Sequence, residues 1–269
     1  MDYIEISIHH AQEEIREILV SLLADEGFES FAESEAGLKA YVPEACYKKQ
    51  KVEQLCLNFH VEFSEQYIPD QNWNAEWEKH FEPVIVAGKC YIRAPFHPPG
   101  PRFLYEIIIE PKMSFGTAHH ETTAMMIEEM MDMEFRRKHV LDMGCGTGIL
   151  AIFADKMGAA KVIAVDNDTW AFNNASENIL KNNAKVVAIK MGDVGIAGSG
   201  YDIILANINR NVLLQHLPEY SKMIKTGELL MSGFYEEDLA KIRETAAFYE
   251  FKLDHSRTKN RWVAARFKK

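Results

Sequence analysis

Residues 140–150 read Val140-Leu-Asp-Met-Gly-Cys-Gly-Thr-Gly-Ile-Leu150, an apolar run that ends in an acid and then in glycines at 144, 146 and 148. Such a run is a buried strand that breaks into a tight turn and resumes as a helix, which brings backbone amides up to a ligand. A dinucleotide fingerprint of the G-x-G-x-x-G type needs a third glycine where this chain has Ile149. A second feature matches the loop. The apolar run Val162-Ile-Ala-Val165 ends in Asp166, and an acid at the end of the next strand is placed to accept both hydroxyls of a ribose. Two further side chains fall at strand ends. Asp193 follows the third strand beside Gly192, either as a turn residue or, as in related nucleotide-binding enzymes, as a carboxylate near an exocyclic base amine, and Asn207 closes the fourth in Leu205-Ala-Asn207-Ile-Asn209. The chemistry these residues suit is the binding of a nucleotide-type cofactor.

The G-x-G-x-G spacing, with Asp142 two residues before Gly144, resembles motif I of S-adenosylmethionine (SAM) dependent methyltransferases. Gly144, Gly146 and Gly148 then let backbone approach the cofactor. Asp142 sits beneath the loop and holds amides or the ligand's ammonium group. Upstream, Phe115-Gly-Thr-Ala-His-His-Glu-Thr-Thr123 precedes a methionine-rich helix, so the hydroxyl of Thr123 belongs to a first turn that can reach the cofactor. His119 and His120 do not converge on one point and no third ligand accompanies them, so no metal is expected. The methionines at 125, 126, 130, 131 and 133 read as adaptable packing, and Cys145 as a small residue that fits between glycines. Enzymes that methylate amide or base nitrogens carry Asn-Pro-Pro and an aromatic where this chain has Asn207-Ile-Asn209. Asn207 still offers a carbonyl to an incoming amine, and a site without a stacking ring has less reason to hold a flat base.

The elements that must position these residues fall into two groups. From Lys138 onward strands and helices alternate, which predicts an α/β fold with a parallel, doubly wound sheet. The tail segments 250–256 and 261–267 are separated only by a short polar turn, so they predict an antiparallel hairpin at the end of that sheet. The whole is the seven-stranded, mostly parallel sheet of the class I methyltransferase fold. Before it, the order β-α-β-β-α-β over residues 3–67 predicts a small α+β, ferredoxin-like module, with Gly27 ending its first helix and Pro43 opening its second. Trp73, Trp77 and Phe81, at i, i+4 and i+8, place an aromatic stripe on a linker helix, and residues 83–96 read as a hairpin turning at Ala87-Gly88. The expected boundaries are residues 1–68 for the small domain, 69–82 for the linker helix and 83–269 for the catalytic domain.

The formal charge of −10 is unevenly spread: residues 1–80 hold 17 acids and 6 bases, a balance of −11. That surface repels a phosphate backbone and attracts a basic protein. The four cysteines show neither disulfide nor zinc spacing, and four reduced thiols are expected. With no apolar run near the ~18 residues of a membrane span and no basic, then apolar, leader, a soluble cytoplasmic protein with no membrane association is expected.

The stretches F-G-T-A-H-H-E-T-T, D-M-G-C-G-T-G-I-L-A-I and A-N-I-N, the acid at Asp166, and N-W-N-A-E-W-E-K-H-F-E-P at 72–83 together resemble the ribosomal protein L11 methyltransferase family, over essentially the whole chain. The resemblance implies that the small domain recognises L11 and the class I domain methylates lysine side chains and the N-terminal amine, the enzyme being a monomer that needs no nucleic acid. It implies cofactor contacts by Thr123, Gly144, Asp166 and Asn207, with Asn207 also on the acceptor side. Two departures stand out: Ala118, where the family usually has glycine, and Asn209, where it usually has leucine. Two alternatives stay open at this point, a methyltransferase of the same fold acting on RNA or a small molecule, and a SAM-binding, ribosome-associated protein without turnover.

Overall fold

The computed structural model describes residues 2–9, 12–34, 37–69, 81–100, 102–112 and 116–269, and divides into two compact units, Met1–His80 and Phe81–Lys269. The first unit runs β1 (Tyr3–His9), α1 (Glu13–Asp25), β2 (Ser30–Ser34), β3 (Gly37–Pro43), α2 (Lys49–Asn58) and β4 (Glu62–Ile68). Its sheet has the order β2-β3-β1-β4 with antiparallel neighbours, which is the ferredoxin-like arrangement. Alternation decides which face is buried: Ile6 and Ile8 pack with Leu38, Ala40 and Val42 under Leu19, Leu23, Val52 and Cys56 of the two helices.

Gly27 stops α1. At φ +97° its N–H reaches the Ala24 carbonyl while Phe28 N–H reaches that of Leu23, and Phe28 folds into the same core as Leu23. Pro43 does not open the second helix. It is the last residue of β3, opposite Tyr3; a single 3-10 turn, Glu44–Cys46, follows, and α2 starts only at Lys49. A proline that lacks an N–H sits as readily at a strand end as at a helix start, and pairing with β1 decided between them. Of the aromatic stripe, Trp73 and Trp77 lie outside the described residues. Phe81 packs against His119, ring centres 4.5 Å apart.

The second unit begins with a three-stranded sheet. Strands β5 (Val84–Val86) and β6 (Cys90–Arg93) form the hairpin, turning through Ala87 and Gly88 at φ +49° and +66°, and β7 (Tyr105–Ile108) adds in parallel to β6. Helix α3 (Glu121–Met131) then leads into β8 (His139–Met143), α4 (Ile149–Lys156), β9 (Lys161–Asp166), α5 (Thr169–Lys181), β10 (Val187–Met191), β11 (Ile203–Asn207), α6 (Arg210–Met223), β12 (Glu228–Tyr235), α7 (Leu239–Phe248), β13 (Lys252–Lys259) and β14 (Trp262–Lys268).

The strand order is β10-β9-β8-β11-β12-β14-β13, parallel except that β14 runs antiparallel to β12 and β13. The hairpin turns through Asn260 and Arg261, both at positive φ. Helices cover both faces. Phe153, Met126 and Met130 lie in one core layer; Leu213, Leu217, Tyr220 and Ile242 lie in the other. Met125, Met126 and Met130 are fully buried, as packing residues should be. The chain reverses its direction of winding between β8 and β11, so the carboxyl ends of those strands flank the crevice where open sheets bind ligands.

Candidate active site

The glycine loop leaves β8 at that crevice. Gly144, Gly146 and Gly148 all have positive φ (+70°, +54° and +78°), which side chains resist. The N–H groups of Gly144 and Cys145 both donate to the Val165 carbonyl, at 2.8 and 3.1 Å, pinning the loop to the end of β9. Gly148 begins α4, where a Cβ would stand 3.2 Å from that of Ala175.

Asp166, 9% exposed, accepts the Gly146 N–H at 2.9 Å on Oδ2 and the Asp168 N–H at 3.0 Å on Oδ1. A carboxylate has about four acceptor positions, so both oxygens keep capacity for further donors. Asp168 caps α5 by accepting from Ala171 N. Asp142 lies beneath the loop, buried, and accepts the Ala151 N–H at 3.0 Å on Oδ2, while its Oδ1 has no partner among the described residues. Burial, with a smaller push from the Asp166 charge and against the Ala151 bond, raises its pKa to about 7. Burial also pushes the Cys145 thiol well up, so this residue is inert filling.

The crevice has a volume of about 1080 Å³. Of the residues singled out in the sequence, Gly144, Gly146, Asp166, Asp193 and Asn207 line it; Asp142, Gly148 and Thr123 do not. Thr123 is 1% exposed and stands behind Asn207, whose Nδ2 donates to its Oγ1 at 3.2 Å. With Nδ2 so committed, the buried Oδ1 of Asn207 is left without a partner among the described residues. A carbonyl oxygen in that position costs stability unless a ligand donates to it.

His119 and His120 separate. His119 turns its Nε2 to the Glu82 carbonyl at 2.9 Å, away from the crevice, whereas His120 lines it and caps α3 by accepting from Thr122 N. Among the described residues no group of three or more His, Cys, Asp or Glu is arranged to hold a metal ion. Ala118 has φ +66° and is 2% exposed, so the departure from glycine places a side chain on left-handed backbone, at a cost of about 1 kcal/mol.

Several lining residues gave no local signal in the sequence. Trp262, first residue of β14, packs on Tyr235 with ring centres 4.0 Å apart and edge-on to His120 at 4.9 Å. The crevice therefore does contain an aromatic wall, which corrects the reading taken from the missing Asn-Pro-Pro: the ring comes from the other end of the chain. Gly233, at φ +94° in the bulge of β12, admits the backbone of Ile208, which a Cβ would strike. Asn209 caps α6 by accepting from Val212 N at 3.1 Å, so its side chain serves the helix as well as lining the crevice. His216 enters from the middle of α6.

A sheet of this order, with a glycine loop after its central strand and an acid closing the next, is the class I fold of SAM-dependent methyltransferases. Residues 3–269 match the family described as Ribosomal protein L11 methyltransferase. Proteins named Ribosomal protein L11 methyltransferase from Phocaeicola vulgatus and Bacteroides thetaiotaomicron are 40% and 41% identical to the chain, each over 99% of both sequences. The crystal structure of ribosomal protein L11 methylase from Lactobacillus delbrueckii subsp. bulgaricus superposes with a TM-score of 0.65 at 27% identity, covering 70% of this chain and 98% of that one. The chain belongs to the ribosomal protein L11 methyltransferase family, and its catalytic unit is a SAM-dependent methyltransferase.

Proposed function

We propose that this protein transfers methyl groups from SAM to lysine side chains, the N-terminal amine, or both, of its own ribosomal protein L11. The observation that carries the reading is the match to the L11 methyltransferase family over residues 3–269, which includes the small acidic unit and not the catalytic unit alone.

The residues present fit the cofactor. Asp166 has spare acceptor capacity for a ribose, and Gly144 and Gly146 bring bare backbone to the crevice wall. Asp193 is assigned to the exocyclic amine of the base, and Asp142, Gly148 and Thr123 support the wall from behind. When bound, SAM supplies a methyl group on a sulfonium, open to in-line displacement. The protein's task is to align an amine and present it neutral. A free lysine, with pKa about 10.4, is almost wholly protonated at neutral pH, so the acceptor must lose its proton on entering. Asn207 Oδ1 is assigned to hold the amine by accepting one of its hydrogens, and the Trp262 and His120 rings exclude water beside it. Of the two histidines, His120 is the candidate to relay the proton, since it lines the crevice.

The small unit is assigned to substrate recognition. Its charge of −11 favours a basic partner such as a ribosomal protein and disfavours direct binding of nucleic acid. We place the enzyme, as a monomer, in the cytoplasm, where L11 is made; no helix among the described residues is long and apolar enough to cross a membrane.

The test is the intact mass of unmethylated L11 after incubation with enzyme and SAM. Gains in steps of one methyl group, mapped to amines, are expected. Calorimetric binding of SAM without any gain in mass would instead leave a protein without turnover, the outcome for which the strained Ala118 is the structural motive.

A further inference from the structure

The two walls of the crevice meet at a buried threonine that none of the assignments above uses. Thr147 stands inside the glycine loop, wholly buried, and its Oγ1 donates to the Gly116 carbonyl at 2.5 Å. The direction is fixed, because a carbonyl oxygen can only accept. Gly116 leads along the chain to His120, which lines the crevice, and then to Thr123, which holds Asn207. One hydrogen bond thus joins the loop that brings backbone to the cofactor and the segment that leads to the acceptor side. The approach is close enough to need a bare backbone: Gly116 has φ +106°, and a Cβ there would stand 2.8 Å from Thr147 Oγ1.

The threonine is itself held from α5. Asn178, also buried, donates through Nδ2 to the Thr147 carbonyl at 2.9 Å and accepts the Glu110 N–H on Oδ1 at 2.8 Å. One turn along, Asn182 accepts the Ile108 N–H at 2.9 Å and donates to the Ile108 carbonyl at 2.6 Å. A helical turn of four residues advances about 6 Å, close to the ~6.7 Å of two extended residues, so asparagines four apart meet alternate residues of the chain that continues β7. Helix α5 therefore fixes both the chain on its way to Gly116 and the carbonyl of the residue that grips Gly116. Thr147 does not line the crevice, so its hydroxyl serves the register between the walls and not a ligand.

We propose that Thr147 is a positioning residue, whose hydroxyl sets the spacing between the glycine loop and segment 116–120 and, through it, the alignment of the acceptor amine with the methyl group of SAM. This rests on the assignment of His120 and Asn207 to the acceptor side. In-line displacement tolerates little error in alignment: a shift of about 1 Å costs up to about 100-fold in rate. The contacts between cofactor and glycine loop stay in place when the opposite wall moves.

The test sets Thr147→Ala, which removes the hydroxyl without placing a methyl group against the Gly116 carbonyl, beside Thr147→Ser, which keeps it. On the full-length protein, kcat is measured at saturating SAM and L11, SAM affinity by calorimetry, and hydrogen–deuterium exchange of the peptide 116–120 without ligand. In Thr147→Ala, kcat should fall at least about fivefold while SAM affinity stays within about twofold, and exchange should quicken at least about threefold. Thr147→Ser should return every quantity to within about twofold of the unaltered protein. If Thr147→Ala does not fold, Thr147→Cys takes its place with the same expected changes, since a thiol fills the space and donates only weakly.

An unchanged kcat in the variant that lacks the hydroxyl would overturn the proposal. So would a loss of SAM affinity as large as the loss of kcat, which would confine Thr147 to the cofactor loop. A Thr147→Ser variant as slow as Thr147→Ala would overturn it too, by showing that the methyl group packs and the hydroxyl is idle. His120→Ala should lower kcat with SAM affinity kept. An unchanged kcat there would strike at the acceptor side itself, and absent methylation of L11 by the unaltered protein would strike at the proposed function; the role of Thr147 falls with either.

Discussion

Asp166 and Asp142 are two carboxylates of one loop with opposite demands. Asp166 meets two backbone N–H donors at the crevice wall and remains open to a ligand. Replacing it with alanine removes charge-assisted hydrogen bonds of about 1.5–3 kcal/mol each, so SAM affinity should fall by at least about 100-fold with the fold intact. Calorimetry with a melting curve as control checks this. Asp142 has one donor among the described residues and is otherwise dehydrated. An aspartate titrating near 3.8 when unfolded and near 7 when folded leaves the folded state holding a proton that the unfolded chain has lost. The stability it lends is thus fully present below pH ~4, declines as pH rises and has gone above pH ~7. In Asp142→Asn, with no ligand bound, that part of the decline should vanish, which a series of melting temperatures from pH 4 to pH 8 reads directly.

At the scale of elements, the acceptor side of the crevice depends on how α3 and the C-terminal hairpin are held together. Glu129 of α3 is completely buried, and its Oε1 is met by Arg257 and by His255 Nδ1 from β13, while Arg257 also reaches Asp132. Removing the guanidinium strands a buried carboxylate. Arg257→Met should therefore cost about 3 kcal/mol, and Glu129→Met added to it should recover most of the loss, since the buried charge goes too. Urea unfolding of the two variants provides the check. Gly233 is the other point of contact: its left-handed backbone and the Ile208 main chain pressed against it leave no room for a Cβ. Gly233→Ala should destabilise the protein by about 1–3 kcal/mol and weaken methyl transfer through displacement of Ile208.

For the whole molecule, charge divides the labour. With 17 of the 40 acidic residues and 6 of the 30 basic ones, residues 1–80 carry the protein's net negative charge, whereas the catalytic unit is nearly neutral. If that surface draws in a basic protein, raising ionic strength from about 0.05 to 0.5 M shrinks the screening length from about 14 to 4 Å and should raise the KM for L11 several-fold. The KM for SAM, set by contacts inside the crevice, should change far less. Steady-state kinetics at the two salt concentrations, varying each substrate in turn, separates these outcomes.

The sequence by itself determined the elements, because period-2 and period-3.6 patterns, glycines and caps are local. The strand β8, the loop with its three glycines, Asp166, Asn207 and the C-terminal hairpin were legible for that reason, and so was the class of cofactor. Pro43 was misread because strand end and helix start suit a proline equally, and only pairing with Tyr3 decided it. Tertiary structure alone decided who stands beside whom: that Thr123 lies behind Asn207, that His119 turns away while His120 stays, and that His216 reaches Asp193. It also returned to the crevice, from β14, the aromatic ring that the segment after Asn207 lacks. These partners lie from 23 residues apart, for Asp193 and His216, to 142, for His120 and Trp262, and contacts over such distances are set by the order in which strands pair, which no local pattern records.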